Sequence, residues 1–170
     1  APEVYDALAA LDKRLLERLG AGNIRFVRSA WLLAQRAGFR MLCRQDLEAL
    51  EARGDNWQDL LKLYASVINR VLADKPADMR IGMHLCRGNK QSYWQAEGSY
   101  DLVADTLFNE VNADCYFLEY DTSRAGDFSP LKYLPKNKTA ILGLVSTKTP
   151  ELESKDDLKK RIEEAAAIAD

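Results

Sequence analysis

Met83-His84-Leu85-Cys86 puts the sequence's single histidine two residues before a cysteine. On an extended strand, residues i and i+2 project to the same side, so this spacing sends an imidazole and a thiol off one face together. The run CYFLEYD (115–121) carries a carboxylate, Glu119, at the equivalent height of a second strand-like segment. Neutral imidazole, thiolate and carboxylate are ordinary zinc donors, and three of them with a fourth position open describe a catalytic zinc site. H-x-C by itself is a frequent chance pattern, and a small, packed Cys86 is the competing reading.

Polar residues follow each of these runs. Arg87-Gly88-Asn89 comes directly after the first, where glycine turns the chain and an arginine suits a substrate carboxylate or phosphate; a solvated loop is the alternative. Arg124-Ala125-Gly126-Asp127 follows the second, and a pairing of Arg124 with Asp127 would shape an active-site loop. Ser146-Thr147-Lys148 ends a third apolar run and faces the same mouth if the three runs are parallel strands. Tyr93, Trp94 and Tyr100 read either as the lining of a pocket for a flat ligand or as core. Cys115 opens its strand at the end opposite Glu119 and reads as packing, and Cys43 has no recognisable partner.

The elements that position these groups follow from periodicity. RIGMHLC (80–86), CYFLEYD (115–121) and TAILGLV (139–145) are short apolar runs, separated by a helix-period segment from Tyr100 to Val111 and by loops. Strand, helix, strand, loop, strand, helix predicts parallel βα units, whose carboxyl-end loops are where sites collect. Upstream, Trp57, Leu60, Leu61, Tyr64, Val67, Ile68, Val71 and Leu72 form one helical stripe that stops before Pro76. Leu158, Ile162, Ala165, Ala166 and Ala169 mark a final helix, with Ser154 and Asp157 as a capping box at its start. Tyr5, Leu8, Leu11, Leu15 and Leu19 predict another helix, closed by Gly20, while 24–42 fits a short strand (IRFV), a helix, or both.

Composition narrows the classes of function. The chain has 170 residues, 24 Lys+Arg against 26 Asp+Glu for a net charge of −2, and 47% hydrophobic residues. Interleaved charge of both signs offers no footprint for nucleic acid or an anionic membrane. No apolar run reaches the ~20 residues of a spanning helix, the start APEVYDALAALDKR lacks a signal-peptide pattern, and three widely spaced cysteines suit a reducing compartment. The expectation is a cytoplasmic protein, a single domain over 1–170.

The motifs MHLCRGN (83–89), FLEYDTSRAGDF (117–128) and ILGLVSTKTPELES (141–154) together resemble the catalytic C-terminal domain of cobalamin-independent methionine synthase and its stand-alone homologues. The resemblance runs from about Trp57 to the C-terminus, leaving 1–56 outside it. It implies an α/β fold, part of a TIM (β/α)8 barrel with parallel βα units in the C-terminal half, behind a mainly helical N-terminal part. It also implies Zn2+ held by His84, Cys86 and Glu119, with substrate contacts from Arg87, Asn89, Arg124 and Asp127. The activity implied is methyl transfer to a zinc-activated thiol, with a homocysteine-like thiol and a folate-like methyl donor as small-molecule partners. The family's fourth zinc ligand, a cysteine, belongs after the last helix and is absent from this chain, and 24–45 holds no acid to bind a substrate amine. Eight βα units need ~250 residues and this chain offers three clear ones, so the resemblance predicts an incomplete barrel with open edges prone to self-association. A non-catalytic α/β fragment or interaction module without zinc is the alternative.

Overall fold

The first described helix begins for a local reason. The side-chain oxygen of Asn56 accepts from the backbone N–H groups of Gln58 (3.0 Å) and Asp59 (3.2 Å), donors that an opening turn leaves without partners. From there α1, Trp57–Leu72, buries Ala65, Val67, Ile68, Val71 and Leu72 along one stripe. The computed structural model describes residues 25–26, 48, 51–52, 54, 56–89, 91–94 and 96–169. The expected Tyr5–Leu19 helix, Cys43 and most of 24–45 lie outside them; Arg25–Phe26 is a strand.

Among the described residues, four strands make one parallel sheet in the order β1-β2-β3-β4: β1 Arg25–Phe26, β2 Ile81–Leu85, β3 Cys115–Glu119 and β4 Thr139–Gly143. The register sets His84 beside Phe117, Leu85 beside Leu118 and Glu119 beside Gly143. The three apolar runs therefore become neighbouring parallel strands, as their rhythm predicted. Each pairs for fewer residues than its run, so Cys86, Asp121 and Ser146 lie just past the strand ends. β3 is buried on both faces, as befits a strand with a neighbour on each side.

The expected Tyr100–Val111 helix forms in shorter and wider shape. Residues 101–103 are a turn, 104–105 are α-helical, and Thr106–Glu110 continues as a π-helix. Its carbonyls end on side chains. Lys138 Nζ donates to Phe108 O (2.6 Å) and Val111 O (2.5 Å), and Tyr116 Oη donates to Leu107 O (2.9 Å) and Val111 O (3.0 Å). α1 packs on this helix, and Asn69 locks the two by donating to Glu110 O and accepting from Asn112 N–H. Between them and the sheet lies the core of Val71, Ile81, Val103, Leu107, Phe108, Tyr116 and Leu118.

The last helix, α2 (Lys155–Ala169), rests on the 3-10 turn Ser129–Tyr133 and buries Ala165. Its start is a variant of the expected capping box. Ser154 Oγ accepts from Asp157 N–H (3.1 Å) and donates to the Asp157 carboxylate (2.6 Å), so both bonds use the serine hydroxyl. No described helix is long and apolar enough to cross a membrane.

Candidate functional site

His84 and Cys86 leave the carboxyl end of β2, both half-buried. Burial lowers the His84 pKa, although the nearby Glu119 charge opposes the shift, and this favours the neutral imidazole. Burial pushes the Cys86 thiol up, with a backbone hydrogen bond from Gly88 and the charges of Lys148 and Arg87 working against it. Glu119, on the next strand, acts electrostatically on both.

Glu119 is itself fully engaged. Its Oε2 accepts from Arg87 N–H at 2.7 Å, and its Oε1 accepts from Arg124 Nη2 at 2.5 Å and Lys148 Nζ at 3.3 Å. The donor set suits zinc in kind. In placement it is looser than expected: among the described residues, no three His, Cys, Asp or Glu side chains gather into a metal-holding group.

Arg124 and Lys148 also reach Asp121, which makes a buried quartet of two cations and two carboxylates. Arg124 Nη2 lies 3.0 Å from Asp121 Oδ1 and Lys148 Nζ 2.9 Å from Oδ2, while Ser146 Oγ donates to Oδ2 at 3.0 Å. The four side chains are between 3% and 9% exposed. Burial works to raise the Asp121 pKa, but Lys148, Ser146 and Arg124 outweigh it and hold the carboxyl below its ordinary value. Arg124 stacks on the Trp94 ring at 4.6 Å, and its Nε is buried without a hydrogen-bond partner.

Two expectations are corrected here. Arg124 pairs with Glu119 and Asp121 rather than with Asp127, whose Oδ1 instead accepts from Ser129 N–H (2.9 Å) at the start of the 3-10 turn. Arg87 is not a substrate-facing residue. It is fully buried, and its guanidinium makes five hydrogen bonds, two to Gly98 O and one each to Ala125 O, Glu119 O and Tyr100 Oη. Every N–H is spent on the protein's own oxygens.

Asn89 remains at the mouth, donating to Thr147 Oγ1 (2.9 Å) and accepting from Ser92 N–H (3.1 Å), so it ties the loop after β2 to the loop after β4. Of the three aromatics, Tyr93 and Trp94 are exposed. Tyr100 is core, its hydroxyl donating to Leu85 O, accepting from Glu119 N–H, and pushed up to about 12 by burial. Asp121 is the member that the sequence reading passed over. The signal was available, because Glu119 and Asp121 share the i, i+2 spacing that singled out His84 and Cys86.

Fold and site together define a parallel α/β chain with its candidate chemistry at the carboxyl ends of adjacent strands. No protein-family profile matches it. Over 126 residues it is 48% identical to YxjG of Bacillus subtilis strain 168, an uncharacterized protein, covering 74% of this chain and 33% of YxjG. Over 120 residues it is 45% identical to YxjH, also uncharacterized, covering 70% of this chain and 32% of that protein. A solved structure from Listeria monocytogenes, of a protein provisionally named a vitamin-B12 independent methionine synthase, matches with a TM-score of 0.58 and 34% identity. That match covers 78% of this chain and 35% of the Listeria chain. The chain spans about one third of the length of these relatives, and over that span it is related to a cobalamin-independent methionine synthase-like protein, the resemblance its motifs carry.

Proposed function

We propose that this chain carries part of the site of a zinc-dependent, thiol-alkylating enzyme on a (β/α)8-type barrel, with 57–170 as the part that supplies the site. The observation behind this reading is the arrival of His84, Cys86 and Glu119 at the ends of two paired strands. Burial lowers the His84 pKa, which favours the neutral imidazole that metals bind. Arg87 N–H fixes one oxygen of Glu119, and Arg124 and Lys148 pair with the other. Zinc, when held by these three, would acidify a substrate thiol and make it nucleophilic at neutral pH. In the overall reaction a sulfur–carbon bond forms as the donor's bond to its methyl group breaks; the donor keeps that electron pair and the thiol proton goes to solvent. The substrate class is a small homocysteine-like thiol with a folate-like methyl donor, and Asn89 stands where such molecules would enter.

Zinc content of the purified full chain, by elemental analysis before and after dialysis against a mild chelator, tests the reading. The expected result is close to one zinc retained per chain, with Cys86→Ser weakening zinc by at least about tenfold while the fold is kept. The engagement of Glu119 by two cations favours the second reading, a non-catalytic α/β module. Absence of retained zinc, together with absence of thiol alkylation, would decide for it.

A further inference from the structure

In a parallel ladder, a rung runs from a carbonyl to the N–H one residue past its strand partner. The register pairs Leu85 with Leu118, so Leu85 O faces Glu119 N–H. The Tyr100 hydroxyl stands at that rung. It accepts from Glu119 N–H at 2.9 Å and donates to Leu85 O at 2.8 Å, two hydrogen bonds end to end where a ladder has one. Arg87 Nη1 donates to the same oxygen at 3.1 Å, so its one proton and both lone pairs are spent. The next rung is diverted too. Arg87 N–H turns to the Glu119 side chain (2.7 Å), and Glu119 O receives Arg87 Nη1 instead (2.8 Å). On the other side of β3 the ladder stays backbone to backbone, with Tyr120 N–H meeting Gly143 O directly at 2.9 Å. Tyr100 is fixed where it stands: it is fully buried, with the Arg87 guanidinium over its ring at 4.3 Å and Tyr120 edge-on at 5.3 Å.

We infer that Tyr100 is a positioning residue whose hydroxyl, seated in the ladder, holds the carboxyl ends of β2 and β3 apart and sets the spacing of His84 and Cys86 from Glu119. His84 and Cys86 leave one side of this wedge and Glu119 leaves the other, in keeping with the absence of a gathered group of such side chains among the described residues. The bearing of the wedge on catalysis rests on the function proposed above; the wedge itself needs neither metal nor substrate. Tyr100 acts through the two strands and touches no reacting group.

The test is NMR of the isotope-labelled, chelator-treated full chain, reading scalar couplings across hydrogen bonds from amide nitrogen to carbonyl carbon. A direct N–H···O=C bond gives such a coupling and a hydroxyl-bridged one does not; the preceding rung, Phe117 N–H to Met83 O, is the internal reference. Wild type is expected to show the reference coupling and none between Glu119 and Leu85. Tyr100→Phe keeps the ring and removes the wedge, so the Glu119–Leu85 coupling should rise to the reference level as the strands close, and the His84 and Cys86 amide signals should shift. Tyr116→Phe is the control, since it removes another buried hydroxyl, one bonded to Leu107, Val111 and Lys138. It should leave the coupling absent and move the site signals less. A Glu119–Leu85 coupling in wild type overturns the wedge, as does a folded Y100F without one. Site shifts in Y116F equal to those in Y100F overturn the positioning role. Should Y100F fail to fold, the wild-type spectrum decides. Bound zinc plays no part in these readings, so a chain that retains none removes the proposed function and leaves the wedge standing.

Discussion

At the amino end of the sheet, Lys75 and Asp114 form a one-to-one pair at 2.6 Å, and Asp114 also accepts from Ile81 N–H at 2.7 Å. Lys138, at the same end, spends its ammonium on the carbonyls of Phe108 and Val111. At the carboxyl end, Arg124 and Lys148 each divide themselves between Glu119 and Asp121. Among the described residues, each of these amino-end groups is ion-paired with at most one charged partner, its other bonds going to backbone or, for Lys138, to the Tyr116 hydroxyl as well. Those at the carboxyl end are partnered twice over. A group that ends on the backbone has nowhere else to go and serves the fold, whereas doubly partnered groups can redistribute without exposing a charge.

Arg87 offers the strongest way to break this division, because it sits at the carboxyl end yet ends on backbone. If partner type matters more than place, Arg87→Ala should behave as a fold mutation. It strands the carbonyls of Gly98, Ala125 and Glu119 in a buried setting, and a loss of at least about 3 kcal/mol in urea unfolding is expected. A stable, cooperatively folding R87A chain would refute the division.

Acid unfolding sharpens the other side. Burial favours a raised Asp114 pKa, but the hydrogen bonds from Lys75 and Ile81 N–H and the charges of Lys75 and Arg80 outweigh it and hold the carboxyl below 3.8. The unfolded chain therefore takes up that proton first as pH falls. The stabilisation is complete above the unfolded value and is lost as pH drops through the folded one. Asp114→Asn should flatten the decline in urea midpoint below about pH 4, by no more than about 1 kcal/mol for so exposed a pair. Added zinc should leave that difference unchanged, since Asp114 lies at the far end of the sheet.

The smallest effect belongs to Ser154, whose hydroxyl opens α2. Ser154→Ala should cost about 1 kcal/mol in thermal or urea unfolding and leave zinc uptake untouched. A change in zinc uptake would show that the cap is coupled to the quartet.

Much of the sheet was legible because a buried strand writes its burial into consecutive residues: the runs at 80–86, 115–121 and 139–145 all contain strands. The α1 stripe, Trp57 to Leu72, was equally plain from its apolar spacing and the stop before Pro76. A helix between Tyr100 and Val111 was legible, but its π-form over Thr106–Glu110 was not, because carbonyls there are met by Lys138 and Tyr116, residues that helical periodicity does not consult. For the site, strand spacing identified which side chains leave the same end, but not their partners. Arg87 and Arg124 looked alike in sequence, each an arginine in a loop after a strand. Their partners, backbone carbonyls such as Gly98 O for one and the carboxylates of Glu119 and Asp121 for the other, gave them different work.

Trp94 stacks on Arg124 at 4.6 Å, and its indole N–H donates to Glu97 at 2.7 Å. In optical terms, the quartet thus has a chromophore against one of its charges. Indole emission responds to the electric field across the ring, so a redistribution of charge around Arg124 would register as a change of colour in the protein's own fluorescence.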